Sequence, residues 1–129
     1  MNSTSSCKYL IQYHLIFVVK YRKQLLVGDL NIDMLKYIKS LERDFEIKTM
    51  QSDKNHLHFL ISTKPSVSIS QIVRHLKQMS TIFIWKNYEK LLLKHFWKER
   101  TFWSDGYFVA SIGDANEKTI QKYIDEQGN

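Results

Sequence analysis

Two amphipathic stripes, each following a run of β-forming residues, constrain this chain more than any other feature. Leu30, Met34, Ile38, Leu41 and Phe45 recur at spacings of four, four, three and four, which lines one face of a helix. Ile69, Ile72, Leu76, Met79 and Phe83 form a second stripe. Ser68 or Ser70 suits its N-cap, and helical character continues, interrupted, to about Lys94. Ahead of the first stripe, Tyr9 to Lys20 is rich in Tyr, Ile, Phe and Val, as a strand buried on both faces near Leu15–Val19 would be. Between the stripes, Phe45–Ser52 and His56–Thr63 alternate, and Asp53-Lys54-Asn55 joins them as a hairpin turn. Gly28 punctuates a turn over Val27–Asp29, and Pro65 marks a serine-rich loop from Ser62 to Ser70. Phe102 to Ile112 reads as a fourth strand, Gly113-Asp114 as a turn and Asn116 to Gln127 as a last short helix.

The order βαββαβα predicts an α+β fold of ferredoxin-like type: one antiparallel sheet with helices packed on it, plus a C-terminal helix. A chain of 129 residues makes one such domain over 1–129, with residues 1–6 frayed. Cys7 is the single cysteine, so no intramolecular disulfide is available. The apolar run Leu15–Val19 is far shorter than the ~20 residues of a membrane span. Lys8, Gln12 and His14 interrupt any signal-peptide core. A cytoplasmic protein with no membrane association is therefore expected.

The formal net charge is +6, and it is concentrated. Between Gln71 and Arg100 seven lysines and arginines face only Glu89 and Glu99, and Phe83, Trp85, Tyr88, Phe96 and Trp97 are interleaved with them. Basic side chains neutralise phosphates and aromatic faces stack on unpaired bases; a solvated helix face over core aromatics would give the same composition.

Residues able to do chemistry are few. Side chains alternate across a strand, so His56 and His58 share a face and Leu57 takes the other. Two imidazoles so placed can converge on one metal ion, or can simply line a solvated sheet. Tyr123 and Gln127 lie four apart on the last helix and share a face; with Ile120 and Ile124 they also fit the edge of a packing stripe. Together, a His-x-His strand, a Tyr-x-x-x-Gln helix and a basic surface make an economical phosphoryl-transfer site. Two imidazoles and an amide oxygen leave metal positions open for phosphate oxygens, and a tyrosine oxygen can attack the phosphorus.

Five segments in this order resemble one family. They are Tyr13-His14-Leu15-Ile16-Phe17-Val18-Val19-Lys20-Tyr21-Arg22, then Gln51-Ser52-Asp53-Lys54-Asn55-His56-Leu57-His58, then Phe102-Trp103-Ser104-Asp105-Gly106-Tyr107-Phe108, then Ser111-Ile112-Gly113, and last Tyr123-Ile124-Asp125-Glu126-Gln127. Over roughly Tyr9–Gln127 the chain is similar to the small single-tyrosine HUH transposases of insertion sequences, the TnpA type of the 200/605 group. The resemblance implies a transposase that cleaves and rejoins single-stranded DNA at insertion-sequence ends through a 5′-phosphotyrosine intermediate. By position, Tyr123 would be the nucleophile, and His56, His58 and Gln127 would bind Mg²⁺ or Mn²⁺. It further implies a homodimer joined edge to edge, hairpin DNA ends as substrate, and active sites that can be completed in trans. Candidate DNA contacts are Lys20, Arg22 and Lys23 beyond the first strand, and Arg74, Lys77, Gln78 and Thr81 off the apolar stripe of the second helix. His14 reads as a structural or dimer-edge residue.

Three alternatives stand beside this reading. A non-catalytic nucleic-acid module would bind without cutting; Gly106-Tyr107-Phe108-Val109 faintly matches an RNA-recognition pattern, but on the wrong strand. A zinc or two-histidine phosphoesterase would want ligands or His-x-Ser/Thr pairs that are missing. A domesticated relative would keep the chemistry and act on scattered hairpins.

Overall fold

The computed structural model describes residues 11–111 and 117–127. In chain order these form β1 (Ile11–Val18), α1 (Gly28–Lys39), β2 (Phe45–Ser52), β3 (His56–Thr63), α2 (Ile69–Leu93), β4 (Phe108–Ser111) and α3 (Glu117–Gln127), with a 3₁₀ turn over Lys20–Arg22 after β1. The sheet order is β2-β3-β1-β4 and every pairing is antiparallel. This is the expected ferredoxin-like arrangement.

Alternation along β1 divides the molecule. Leu15, Phe17 and Val19 point to one side, where Leu57, Phe59 and Ile61 of β3 join them beneath α1 (Leu30, Met34, Ile38) and α2 (Ile72, Val73, Leu76, Ile84). Ile16 and Val18 point to the other, against Ile124 of α3, with Phe108, Ile120 and Tyr123 around them. Leu15–Val19 is thus fully buried on both faces. A bulge between Ile47 and Thr49 shifts the β2 register. It brings Gln51 opposite His58.

The elements depart from the sequence reading at their ends. β1 stops at Val18, and Lys20 begins the 3₁₀ turn; Tyr9 lies outside the described residues. The first helix ends at Lys39, and Phe45 reaches the same core from β2. Ser68 is the N-cap of α2, but its hydroxyl pairs with Ser70 Oγ at 2.8 Å instead of the helix backbone. The expected interruption of α2 falls at Tyr88, whose φ/ψ of −133°/32° is non-helical and whose hydroxyl donates to Asp33 at 2.5 Å. The Gly113-Asp114 turn and Asn116 lie outside the described residues.

The largest difference is in the fourth strand, which begins at Phe108 and not at Phe102 and is described to Ser111; Ile112 lies outside the described residues. Phe102 and Trp103 are buried as an irregular plug. Trp103 makes only an isolated bridge to Val19, stacks edge-on to Phe17 and Phe102, and donates its indole N–H to Ser80 Oγ at 2.9 Å. Beyond it, Lys77 Nζ donates to the carbonyls of Ser104, Asp105 and Gly106 at 2.8, 3.2 and 2.8 Å. Carbonyls that bind one ammonium are not aligned for a strand ladder, so pairing resumes only at Phe108.

Candidate active site

The site occupies the sheet face opposite the main core. Ile16 pairs with His58 and Val18 with His56 across β1 and β3. Leu57 between the histidines is fully buried on the core side, as strand alternation predicts. Each imidazole has a polar neighbour within hydrogen-bond distance. His56 Nδ1 lies 2.9 Å from Asn55 Oδ1, an atom that only accepts, so His56 carries its proton on Nδ1 and keeps the Nε2 lone pair free. His58 Nε2 lies 3.0 Å from His14 Nδ1. One proton sits between those nitrogens; donated by His58, it leaves the Nδ1 lone pair of His58 free. Burial lowers both pKa values below 6.5, opposed by Asp53 at His56 and reinforced by His14 and His56 at His58. Two neutral, oriented imidazoles are what a divalent metal needs from a protein, and in donor type they fit the group.

Gln127 lies on α3, the helix that packs on this same face. Among the described residues no three His, Cys, Asp or Glu side chains gather as a cage.

Tyr123 projects from α3 onto the sheet. Its ring lies 5.6 Å from that of Phe108, and its hydroxyl is buried with no hydrogen-bond partner among the described residues. Burial pushes the phenol well above the usual tyrosine range. The helix is held by Ile124 against Ile16 and Val18 and by Arg22, whose guanidinium donates to Asp125 O at 2.8 Å. Arg22 belongs to a strained turn: Tyr21 and Arg22 both have positive φ, 60° and 51°, which costs a non-glycine residue about 1–2 kcal/mol. A cleft of about 490 Å³ opens between α3 and the hairpin turn, lined by Arg22, Lys54, Asn55, His56, Gln121 and Asp125 among others.

The candidate DNA contacts do not form one surface. Lys20 is mostly covered and lies 3.7 Å from Glu99 and 3.6 Å from Asp105. Lys23 is half-buried, and Arg74 and Gln78 are exposed on α2. Lys77, Gln78 and Thr81 share a shallow groove with Arg100–Asp105, yet Lys77 is a structural cation there: its three carbonyl contacts bind the loop, and burial lowers its pKa to about 8. His14 corrects the dimer-edge reading, because β1 is an interior strand. Its parity with Ile16 and Val18 was visible in the sequence; its contact with His58 depends on β1 pairing with β3, which periodicity does not reveal. Asn55 and Lys54 were also missed as site residues, although both adjoin His56 in the turn.

Comparison with known proteins decides the family. The model described as "Transposase IS200 like" matches residues 7–127. The chain belongs to the IS200-like transposase family. It is 31% identical over 121 residues to the ISDra2 transposase TnpA of Deinococcus radiodurans, covering 92% of this chain and 85% of that one. It is 28% identical over 118 residues to the transposase for insertion sequence element IS200 of Salmonella typhimurium, covering 90% and 76%. In fold it superposes on a solved Deinococcus radiodurans R1 protein with a TM-score of 0.82 at 24% identity, covering 90% of this chain and 89% of that one. A REP-associated tyrosine transposase bound to a REP hairpin gives 0.52 at 18% identity, covering 92% and 66%. This IS200-like chain therefore carries the tyrosine transposase fold. Among its described residues no helix is long and apolar enough to cross a membrane.

Proposed function

We propose that this transposase cleaves and rejoins single-stranded DNA at insertion-sequence ends, with Tyr123 as nucleophile and a divalent metal, Mg²⁺ or Mn²⁺, held by His56, His58 and Gln127. The observation that carries the reading is the sharing of one sheet face by two hydrogen-bonded histidines and the helix that bears Tyr123. When bound, the ion would stabilise charge developing on the scissile phosphate. Arg22 and Lys54 line the cleft beside His56 and supply cationic contacts for the backbone phosphates.

In the transfer step Tyr123 Oη attacks phosphorus and gives up its proton. The bond from phosphorus to the 3′ oxygen breaks, and that oxygen takes a proton and departs as a 3′-hydroxyl. The 5′ phosphate remains esterified to Tyr123. Attack by a 3′-hydroxyl reverses the step and frees the tyrosine, so rejoining needs no nucleotide cofactor. With its hydroxyl buried against apolar side chains, Tyr123 is in a resting position, and α3 must shift to present it. The Arg22–Asp125 contact and a small apolar patch are light restraints, as a moving element requires.

The substrate in this reading is single-stranded DNA with hairpin ends. The assembly is a homodimer through sheet edges, with sites that can be completed in trans. β2 and β4 are the outer strands of the described sheet, the positions at which sheets of two copies can join.

The test is a covalent-adduct assay. Both single strands from each side of the gene are incubated with protein and Mg²⁺ or Mn²⁺ and resolved on a denaturing gel. A shifted protein–DNA species that is lost with EDTA, with Tyr123→Phe and with His56→Ala or His58→Ala supports the reading. Hairpin binding that persists in EDTA with no adduct supports a non-catalytic module. Wild-type cutting by either histidine variant would remove the metal assignment.

A further inference from the structure

The strained turn that holds α3 through Arg22 also presents Tyr21, on the side of a second cleft. This cleft of about 510 Å³ lies between the turn and the segment His95–Thr101, within the roughly 300–1,000 Å³ usual for small-ligand sites. Its walls carry two large exposed aromatics, Tyr21 at 56% and Trp97 at 72% exposure, above a buried Phe96. Burial separates Trp97 from the other two tryptophans, Trp85 and Trp103, which are 3% and 4% exposed.

Cations flank both aromatic faces. Lys98 Nζ is 4.9 Å from the Trp97 ring and Lys20 Nζ 5.8 Å from the Tyr21 ring. Lys23 and Lys94 adjoin His95 at the margin, where they and burial lower its pKa. One carboxylate, Glu99, also lines the cleft, and Lys20 lies 3.7 Å from it.

Flat aromatic faces with lysines beside them suit one ligand chemistry above others. A small anion would use the lysines and leave the aromatics idle. A duplex buries its base faces in its own stack and would meet only the lysines. An unpaired nucleotide uses both, through base stacking and phosphate pairing, and Glu99 can accept a hydrogen bond from a base N–H.

We propose that the Tyr21–Trp97 cleft binds one unpaired nucleobase of the DNA strand that the transposase cuts. This rests on the reading of single-stranded DNA as substrate. Tyr21 would contact the base one residue from Arg22, whose guanidinium donates to Asp125 O of α3.

The experiment measures binding of a fluorescently labelled single strand from the DNA flanking the gene. Abasic positions are scanned one at a time, with wild type and with Trp97→Ala, Trp97→Phe and Lys98→Gln. Trp97 is exposed, so the variants should keep the wild-type melting curve. Wild type should lose roughly 5- to 150-fold in affinity at one abasic position, the range of a single stacked base. Trp97→Ala should show a loss of that size on the intact strand and no further loss at that position, and Trp97→Phe should restore part of it. Wild-type Trp97 emission should also be quenched by the strand. If wild type binds the strand but no abasic position couples to Trp97, the cleft proposal falls and the function stands. If Trp97→Ala weakens intact and abasic strands equally, the contact is not stacking and the proposal is likewise overturned, as it would be for a cleft that takes a peptide. If wild type binds no single strand at all, the functional reading falls with it.

Discussion

Removing one oxygen from Tyr123 should make this protein more stable and chemically inert. The Tyr123 hydroxyl is buried with no partner among the described residues, between an aromatic neighbour, Phe108, and a patch made by Ile16, Val18 and Ile124. A buried hydroxyl without a hydrogen bond costs about 1–3 kcal/mol. Tyr123 as a whole is only half-buried, so the lower part of that range, about 1–2 kcal/mol, applies. Tyr123→Phe deletes that cost and keeps the ring contacts. At about 2.1 cal/mol/K per residue the chain unfolds with an entropy of about 0.27 kcal/mol/K, so the melting temperature should rise by about 4–7 °C.

The measurement is a thermal or urea melt of both proteins at equal concentration, without metal. The same samples go into the adduct assay, where the variant should form none. An unchanged or lowered melting temperature would show that the hydroxyl has a partner in solution and that the resting position described for α3 is wrong. A rise together with lost chemistry would place Tyr123 among residues kept for reaction at a cost in stability.

Other outcomes follow from the same face of the sheet. His14→Gln should weaken divalent-metal binding about 10- to 100-fold, the usual weight of a residue that orients a ligand; calorimetric titration reads this without DNA, and unchanged affinity would remove His14 from the site. Cleavage should fall at acid pH as the histidines protonate. Because burial holds the pKa values of His56 and His58 below 6.5, the rate should hold at pH 6.5 and drop below it, and a midpoint above 6.5 would contradict their described environment. The linked stability has the same sign: the unfolded chain binds more protons between the folded pKa and 6.5, so stability is lost as pH falls through that window. Arg22→Ala should release α3, read as faster amide exchange across residues 117–127 with little change in β1 and β3; exchange unchanged in α3 would mean that Arg22 does not restrain it.

What the sequence revealed and what it hid follow from the range of the interactions involved. Both helix stripes, the His56–His58 parity and the last helix rest on local periodicity; the second stripe and the parity are found where they are read, the first helix ends at Lys39 ahead of Leu41 and Phe45, and the last helix is described from Glu117. The fourth strand was misread because Phe102 and Trp103 have the composition of a strand interior, whereas Lys77, twenty-seven residues away from Ser104, takes the carbonyls that a ladder would need. The same long-range contact turned Lys77 from a candidate phosphate contact into an internal cation. Positive φ at Tyr21 and Arg22 carries no signal in residue type, since neither is glycine or asparagine, so the turn that ties Arg22 to α3 was invisible. The hydrophobic pattern of the His56–Thr63 strand is compatible with several neighbours; only its actual pairing with β1 puts His14 against His58.

On the proposed reading one strand serves both the core and the site, which restricts how the site can change. Along β1 and just past it, Leu15, Phe17 and Val19 belong to the main core, and His14, Ile16 and Val18 to the face on which α3 packs. A slip of β3 by one residue against β1 would move Leu57, Phe59 and Ile61 onto the α3 face and the imidazoles beneath α1 and α2. Such a slip would bury His56 and His58 among leucines and expose Phe59, so the apolar core selects the register in which the histidines share the face on which α3 packs. Core packing therefore sets the geometry of the site from behind it, while the lightly held α3 is free to move. Rigidity on one face and mobility on the other is the division that a nucleophile delivered by a separate helix requires.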